Sequence, residues 1–184
     1  LAETINEGWF YRGAVSPVPG EPRGHDSRDL SPECFVYCIQ NHDQIGNRAF
    51  GHRLKGDDAF EAATALLLFL PMTPLLFMGQ EWGATTPFLY FTDHEPELGR
   101  LVTEGRRKEF AKFDAFADAS QREKIPDPQA AATFESSRLD WSEVAAADHA
   151  RIVETCRCML RLRREDAVLS KSGRGGLRAD VVAG

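Results

Sequence analysis

The sequence lacks the features of membrane-spanning, exported and nucleic-acid-binding proteins. None of its apolar runs approaches the roughly 20 residues that a membrane span requires, and no signal-peptide pattern opens the chain. Basic residues number 22 and acidic residues 28, and the resulting net charge of -6 argues against nucleic acid or an anionic membrane as a partner. Neutral or cationic small molecules remain open as ligands.

Cysteine is also scarce, and the four cysteines do not predict a disulfide framework or a metal site. Cys34 and Cys38 lie too far apart along one predicted strand to bond to each other. Cys156 and Cys158 point to different faces of a predicted helix, and neither pair has zinc-finger spacing. We therefore expect reduced cysteines, no metal and a cytoplasmic location. Because the chain begins with Leu1, we expect its natural N-terminus to lie upstream.

The most informative stretch that is present is a short apolar segment followed by three polar residues. Residues 34–39 (CFVYCI) are rich in aromatic and β-branched side chains, which is typical of a strand buried on both faces of a parallel sheet. The segment gives way to Asn41, His42 and Asp43. In a barrel of alternating strands and helices, active sites are built at the carboxyl ends of the strands.

A second unit of the same kind follows. Asp57 and Asp58 have the positions of an N-cap and a first-turn acid, and the helix they open, residues 59–70, is apolar on nearly every side. Residues 75–78 (LLFM) then predict another buried strand that ends in polar residues. The order predicts a strand–helix–strand unit in which strands 34–40 and 75–78 are parallel neighbours joined by a helix at 58–70.

The remainder of the chain carries a weaker signal. Residues 83–141 have no strong period and predict a long excursion of the kind that forms substrate pockets. Residues 147–164 predict an amphipathic helix, and residues 177–182 a strand. The arginines near the end of that helix favour its dipole and predict a solvated end: Arg157, Arg161, Arg163 and Arg164.

These residues carry a specific resemblance. A buried strand ending in Asn-His-Asp, followed one unit later by Gly-Gln-Glu at 79–81, resembles the last two strands of the α-amylase superfamily barrel. Four segments in order resemble the malto-oligosyltrehalose trehalohydrolase family more narrowly. They are residues 40–51 (QNHDQIGNRAFG), 79–95 with Thr92-Asp93-His94-Glu95, 104–110 (EGRRKEF) and 126–141 (PDPQAAATFESSRLDW).

The resemblance implies a fold and a division of the chain. The fold expected is α/β, the C-terminal portion of a (β/α)8 TIM barrel comprising its last two strands and their helices, with the start of a C-terminal β domain. Residues 1–164 would belong to the catalytic barrel. Residues 165–184 would form a linker and the start of the β domain.

The resemblance also implies a function. Members of the family are expected to cut the α-1,4 bond next to the trehalose end of maltooligosyl trehalose, as retaining glycosidases without a cofactor. Asp43 matches the acidic residue that stabilises the transition state, and His42 the histidine that hydrogen-bonds the sugar. The further candidates for substrate binding are Asn41, Gln44, Glu81, Trp82 and Phe88. The nucleophile and the acid/base would lie in earlier strands, so the N-terminal part of the barrel is an expected partner, with maltooligosyl trehalose and related α-1,4-glucans as substrates.

Several interpretations of single residues stay open. On local grounds alone, Asp43 and Glu81 could be the carboxylate pair of a glycosidase, whereas the resemblance favours a structural role for Glu81 at the rim of the site. Aromatic side chains after the second strand either stack on sugar rings or close the barrel. Arg106 and Arg107 either reach sugar hydroxyls or pair on the surface with neighbouring glutamates, and we favour surface pairing.

Two other functions compete with the first. A glucan branching or debranching enzyme would keep the superfamily and change the reaction, although residues 126–141 argue against it. A non-catalytic glucan-binding module would use Asp43 and His42 for binding only. The release of trehalose separates the first function from both.

Overall fold

A computed structural model describes residues 1–18, 20–54, 57–170 and 176–182 of the chain. Contacts between residues divide the chain into two compact units. The first comprises Leu1–Cys38, Ala62–Leu75 and Thr155–Gly184, and the second comprises Ile39–Glu61 and Leu76–Glu154.

The sheet of the first unit consists of two short parallel strands, β1 (Val36–Tyr37) and β2 (Thr73–Pro74). The amide of Thr73 donates to the carbonyl of Phe35 at 2.9 Å, and the amide of Leu75 donates to the carbonyl of Tyr37 at 2.7 Å. The predicted pair of adjacent parallel strands is therefore confirmed, but its bounds were wrong. Residues 75–78 follow β2, and within the described residues only the amide of Leu75 continues the ladder to β1.

Helix α3 (Asp58–Phe69) connects the two strands in the chain, close to the predicted range of 58–70. Asp57 begins it as expected, since its Oδ1 accepts the amide hydrogen of Phe60 at 3.0 Å. Leu68 is fully buried, whereas Leu66 and Phe69 are 37% and 46% exposed. The helix that the sequence describes as apolar on nearly every side therefore leaves one of its apolar faces partly exposed.

The core of the first unit ties the short sheet to helix α1 (Ala2–Glu7). Gly8 is the C-cap of helix α1, and its φ is 95°, a left-handed conformation that glycine adopts without strain. The hydroxyl of Tyr37 donates to the carbonyls of Thr4 and Gly8 at 2.7 and 2.6 Å. The buried apolar side chains of this cluster are Ile5, Phe35, Leu70 and Met72.

The second unit contains helices that the sequence pattern did not predict. Between the two ends of the predicted excursion lie α4 (Pro96–Phe110), α5 (Ala119–Glu123) and α6 (Ala131–Glu135). The buried positions of α4 do have helical spacing, but only one of them is a large apolar side chain. They are Gly99, Thr103, Arg106 and Phe110. Hydrophobic periodicity therefore does not detect this helix.

Further helices precede and follow these elements. The five-residue helix α2 (His42–Gly46) lies in the second unit, and α7 (Ala147–Glu165) confirms the predicted helix at 147–164. The 3₁₀ helices are Pro32–Cys34, Gln80–Trp82, Asp114–Phe116 and Trp141–Ala145. No helix in the described ranges is both long enough and apolar enough to cross a membrane.

One arginine of α7 holds the turn between α3 and β2. Arg163 donates from its two terminal nitrogens to the carbonyls of Leu70, Pro71 (3.0 Å) and Met72 (2.7 Å), with a longer contact of 3.4 Å to Leu68. Leu70, Pro71 and Met72 follow the end of α3 at Phe69, and buried carbonyls in such a turn need partners because no helix supplies them. The prediction that the arginines of this helix end are solvated was therefore wrong for Arg163.

The tail of the chain has no strand in its described part. Residues 176–182 lack the strand predicted at 177–182, and their backbone is instead anchored by a side chain. Asn6 donates from Nδ2 to the carbonyl of Ala179 at 2.8 Å and accepts the Ala179 amide at 2.7 Å. Residues 171–175 and 183–184 lie outside the described residues, and the predicted division at residue 165 stays a prediction.

Replacing Arg163 tests its role in this turn. Arg163→Met keeps much of the side-chain length but removes the donors to the Leu70–Met72 carbonyls, and we expect a loss of stability on the order of 2 kcal/mol. The local readout is faster amide hydrogen exchange over residues 66–75 in the protein made from its complete reading frame. Arg164→Met is the matched control, because Arg164 is exposed and, among the described residues, forms an ion pair only with its neighbour Glu165. Equal exchange in the two variants would contradict the role of Arg163.

Candidate functional site

The Asn-His-Asp motif forms the start of helix α2 rather than the end of a strand. Asn41 is the N-cap, and its side chain accepts the amide hydrogen of Asp43 at 2.8 Å. The side chain of Gln44 reaches back and accepts the amide hydrogen of Asn41 at 2.8 Å. This reciprocal arrangement is a capping box, which fixes the backbone of the first helical turn.

The capping box presents His42 and Asp43 to solvent side by side. Their side chains are 70% and 67% exposed, and Nε2 of His42 lies 3.3 Å from Oδ1 of Asp43. Ile45 anchors the same turn from below and is 1% exposed. The arrangement therefore offers a carboxylate and an imidazole, held in contact on a fixed backbone, to any ligand that reaches this surface.

A buried arginine that the sequence analysis placed on the surface holds the other end of α2. Arg106 donates from one terminal nitrogen to the carbonyls of Gly46 (2.8 Å) and Arg48 (3.0 Å). Its guanidinium also lies over the ring of Tyr90, 4.6 Å from the centroid. Burial lowers the pKa of Arg106, while Glu109 acts to raise it. The predicted surface pairing with a glutamate was therefore wrong for Arg106.

The turn after β2 carries Glu81 and Trp82 on a 3₁₀ helix bounded by two glycines. Gly79 and Gly83 have φ values of 82° and 66°, so the chain enters and leaves this helix through left-handed residues. At Gly79 a Cβ atom would also meet the Cβ of Ala84 at 2.6 Å. Glu81 is half-buried in this turn.

Trp82 lies inside the second unit and not on its surface. Its side chain is 2% exposed, and its ring packs at 4.8 Å between centroids on Trp141, which is 67% exposed. The indole Nε1 donates to Oε2 of Glu143 at 3.4 Å. In this structure, therefore, Trp141 rather than Trp82 presents an indole face to solvent. The substrate contact that the resemblance implies for Trp82 stays a prediction.

A second buried arginine holds this turn in place, and the sequence analysis missed it. Arg53 donates from Nε to the carbonyl of Thr86 (2.6 Å) and from a terminal nitrogen to that of Met78 (2.7 Å). Arg53 therefore binds the main chain on both sides of the Gln80–Trp82 helix. Burial lowers the pKa of Arg53, against the opposing effect of Glu143 and Glu81. Its position in a polar stretch of the sequence gave no signal of burial.

Phe88 is half-buried and lies next to α2. A Cβ atom at Gly46 would come within 3.6 Å of its ring, and the amide of Phe88 donates to the carbonyl of Gly51 at 2.9 Å. Phe88 also lines a small aromatic pocket of about 320 Å³. The other apolar side chains of this pocket are Met78, Phe91, Phe134, Leu139 and Trp141. Aromatic faces of this kind can stack on the apolar faces of sugar rings.

The structure thus brings some of the predicted residues together directly. Asn41 bonds to Gln44, His42 contacts Asp43, and Phe88 lies against the C-terminal end of α2. Within the described part of the chain, no hydrogen bond, ion pair or ring contact joins Glu81 or Trp82 to that group. Among the same residues, no group of three or more His, Cys, Asp or Glu side chains could hold a metal ion.

Comparison with known proteins identifies relatives over almost the whole chain. The protein named malto-oligosyltrehalose trehalohydrolase from Deinococcus radiodurans is 52% identical over 182 residues, which is 96% of this chain and 30% of that protein. The protein of the same name from Rhizobium sp. (strain M-11) is 42% identical, over 94% of this chain and 29% of its own length.

A solved structure agrees with these relatives. The crystal structure described as "Putative alpha Amylase from Salmonella typhimurium" has a TM-score of 0.82 and 43% identity, and the match covers 94% of this chain and 29% of that one. No protein-family model matches the chain. The agreement of fold supports the predicted α/β portion of an amylase-type barrel.

The chain therefore spans about 30% of the length of these relatives. Within that span, the match to the Deinococcus radiodurans relative covers 96% of this chain at 52% identity. By sequence, the chain belongs to the malto-oligosyltrehalose trehalohydrolase family, and it corresponds to the C-terminal part of its members.

Proposed function

We propose that the protein is a glycoside hydrolase that cleaves the α-1,4 bond next to the trehalose end of maltooligosyl trehalose and releases trehalose. The observation that carries this proposal is the 52% identity to the Deinococcus radiodurans relative over 96% of the chain. The exposed His42–Asp43 pair on the capped start of α2 supports it, because it places a carboxylate where a ligand can reach.

Asp43 is the residue to which we assign the main role within this chain. Glycoside hydrolysis passes through a transition state with positive charge on the sugar ring, and an ionised carboxylate close to that ring stabilises the charge as it develops. His42 contributes a hydrogen bond to the same sugar. Asn41 and Gln44 contribute mainly by fixing the backbone that carries Asp43, since their side-chain oxygens accept hydrogen bonds from backbone amides.

The two carboxylates that exchange covalent bonds and protons in a retaining mechanism would be a nucleophile and an acid/base. We place both outside residues 1–184, in the part of the barrel that the resemblance assigns to earlier strands. That part is accordingly a proposed partner of this chain. Glu81 supports the rim of the site, Phe88 packs beside α2, and no cofactor takes part. We propose a cytoplasmic location.

Product analysis tests the proposed reaction. The protein made from its complete reading frame should release trehalose from maltooligosyl trehalose, detected by chromatography against a trehalose standard. Residues 1–184 produced alone should release none, because they would lack the nucleophile and the acid/base. New branch points or linear glucans in place of trehalose would favour a branching or debranching enzyme, and binding without turnover would favour a glucan-binding module. Trehalose release by residues 1–184 alone would overturn the placement of the two carboxylates.

Asp43→Asn tests the assignment of the transition-state stabiliser. The change keeps the size of the side chain and removes its charge, so kcat should fall by on the order of a thousandfold while KM changes far less. His42→Ala should cost less, because it removes a hydrogen bond and not the charge. Steady-state kinetics of the complete protein, with folding checked by circular dichroism, measures both.

Asp29→Asn is the matched control for this experiment. Asp29 is an exposed aspartate of the first unit, and the same carboxylate-to-amide change there should leave kcat within about twofold. A kcat near that of the unsubstituted protein in Asp43→Asn would refute the role of Asp43, and with it the proposal that the start of α2 lines the active site.

A further inference from the structure

A polar cleft of about 510 Å³ lies in the second unit, along the first turns of α4. Three segments form it: the chain at 93–94, one face of α4, and the loop at 127–129. Residues 93–94, 104–107 and 127–129 of these segments fall within the parts of the sequence that resemble the trehalohydrolase family. The polar side chains that line this cleft are Asp93, His94, Arg100, Thr103, Glu104, Arg107, Asp127 and Gln129.

Gln129 and Asp127 form one wall of the polar cleft, and each side chain makes two hydrogen bonds to neighbouring groups. Gln129 accepts the amide hydrogen of His94 on Oε1 at 3.0 Å and donates from Nε2 to Oγ1 of Thr92 at 2.8 Å. Oδ1 of Asp127 accepts the Gln129 amide at 2.9 Å and the Thr103 hydroxyl at 2.7 Å. These hydrogen bonds lower the pKa of Asp127, so its carboxylate is ionised at neutral pH. The wall is therefore fixed before any ligand arrives.

Other side chains that line the polar cleft are left available by the protein. Within the described residues, Arg107 forms no hydrogen bond or ion pair, and its Nε is buried without a partner. The carboxylate of Asp93 and the ring of His94 are exposed and likewise form no hydrogen bond with a described residue. Because this guanidinium has no acceptor among the described residues, its terminal nitrogens can donate to a ligand that supplies oxygen acceptors.

The chemistry of the lining selects an uncharged ligand rich in hydroxyl groups. Three carboxylates and two guanidinium groups face the polar cleft, so neither an anion nor a cation is strongly favoured. The described residues also offer no cluster suited to a metal ion. A sugar hydroxyl both donates and accepts, which matches a lining of mixed donors and acceptors. The volume lies in the range that small-molecule sites occupy.

We propose that the polar cleft binds a saccharide unit through hydrogen bonds from Arg107 and to Asp93 and Asp127. The identity of the ligand rests on the proposed function, since the substrate and product of that reaction are uncharged sugars. Gly99 belongs to the same site, because a Cβ atom there would meet the side chain of Gln129 at 2.7 Å. The absence of a side chain at Gly99 thus leaves room on α4 for Gln129, which forms part of the wall.

Threonine methyl NMR of the complete protein gives a local test. Thr103 lines the polar cleft and Thr92 bonds to its wall, so their methyl signals report binding there rather than elsewhere. Titration with trehalose or with maltotetraose should shift both signals to saturation. Arg107→Gln should raise the midpoint by about tenfold or more, which is the loss expected for hydrogen bonds from a charged donor.

Two further variants keep the test decisive. Asp93→Asn removes an exposed carboxylate with no described partner, so it should weaken binding without unfolding the protein. Gly99→Ala should weaken binding by displacing Gln129. Arg164→Gln, which neutralises an exposed arginine of α7, is the matched control and should leave the midpoint unchanged. Saturable shifts with inorganic phosphate but with neither sugar, no saturable shift at all, or equal midpoints in Arg107→Gln and the control would each overturn the proposal.

The outcome is separable from that of the proposed function. If the protein releases trehalose but neither sugar shifts the Thr92 and Thr103 signals, the hydrolase proposal stands and the polar cleft does not bind saccharide. If the sugars bind with the expected variant pattern but no trehalose is released, the cleft proposal stands and the proposed reaction fails.

Discussion

The described structure depends on arginine side chains that donate to main-chain carbonyls. Arg163 takes the carbonyls at the end of α3, Arg106 those at the end of α2, and Arg53 those on either side of the turn after β2. Helix ends and irregular turns leave carbonyl groups that water cannot reach once they are buried. A guanidinium group with several donors in a plane satisfies more than one of them at once. In the second unit, Arg106 and Arg53 hold the two segments that carry the residues of the candidate site.

The parallel strand pair and the helix between them follow from the sequence because their signals are local. Aromatic and β-branched residues mark 34–39, and acidic residues at 57–58 mark the start of α3. The extent of pairing was not predictable, because a strand is defined by its neighbour and not by its own composition. Helix α4 was missed for a different reason: its buried face is made of Gly99, Thr103 and Arg106, which hydrophobic periodicity does not register.

For the candidate site, the sequence identified the residues better than it identified their roles. The Asn-His-Asp motif drew attention to Asp43 and His42, and the structure exposes both. The three-residue spacing of Asn41 and Gln44, with an amide at each end, is a pattern of a capping box, and the sequence analysis missed this signal. Neither the burial of Trp82 nor the exposure of Trp141 could be predicted, because the two rings meet through a contact between distant segments.

The arginine-to-carbonyl contacts determine how the fold responds to ionic strength. Surface ion pairs such as Arg100–Glu104 weaken as salt screens them, since both partners are in water. Arg53 and Arg106 are shielded from that effect, because each is 9% exposed and its partners are dipoles of the backbone instead of opposite charges. The turns that flank the candidate site should therefore hold their geometry in concentrated salt while the surface pairs around them loosen. A lysine in place of Arg53 or Arg106 would keep the charge but lack the planar set of donors. The fold therefore requires the geometry of the guanidinium group at these two positions rather than its charge.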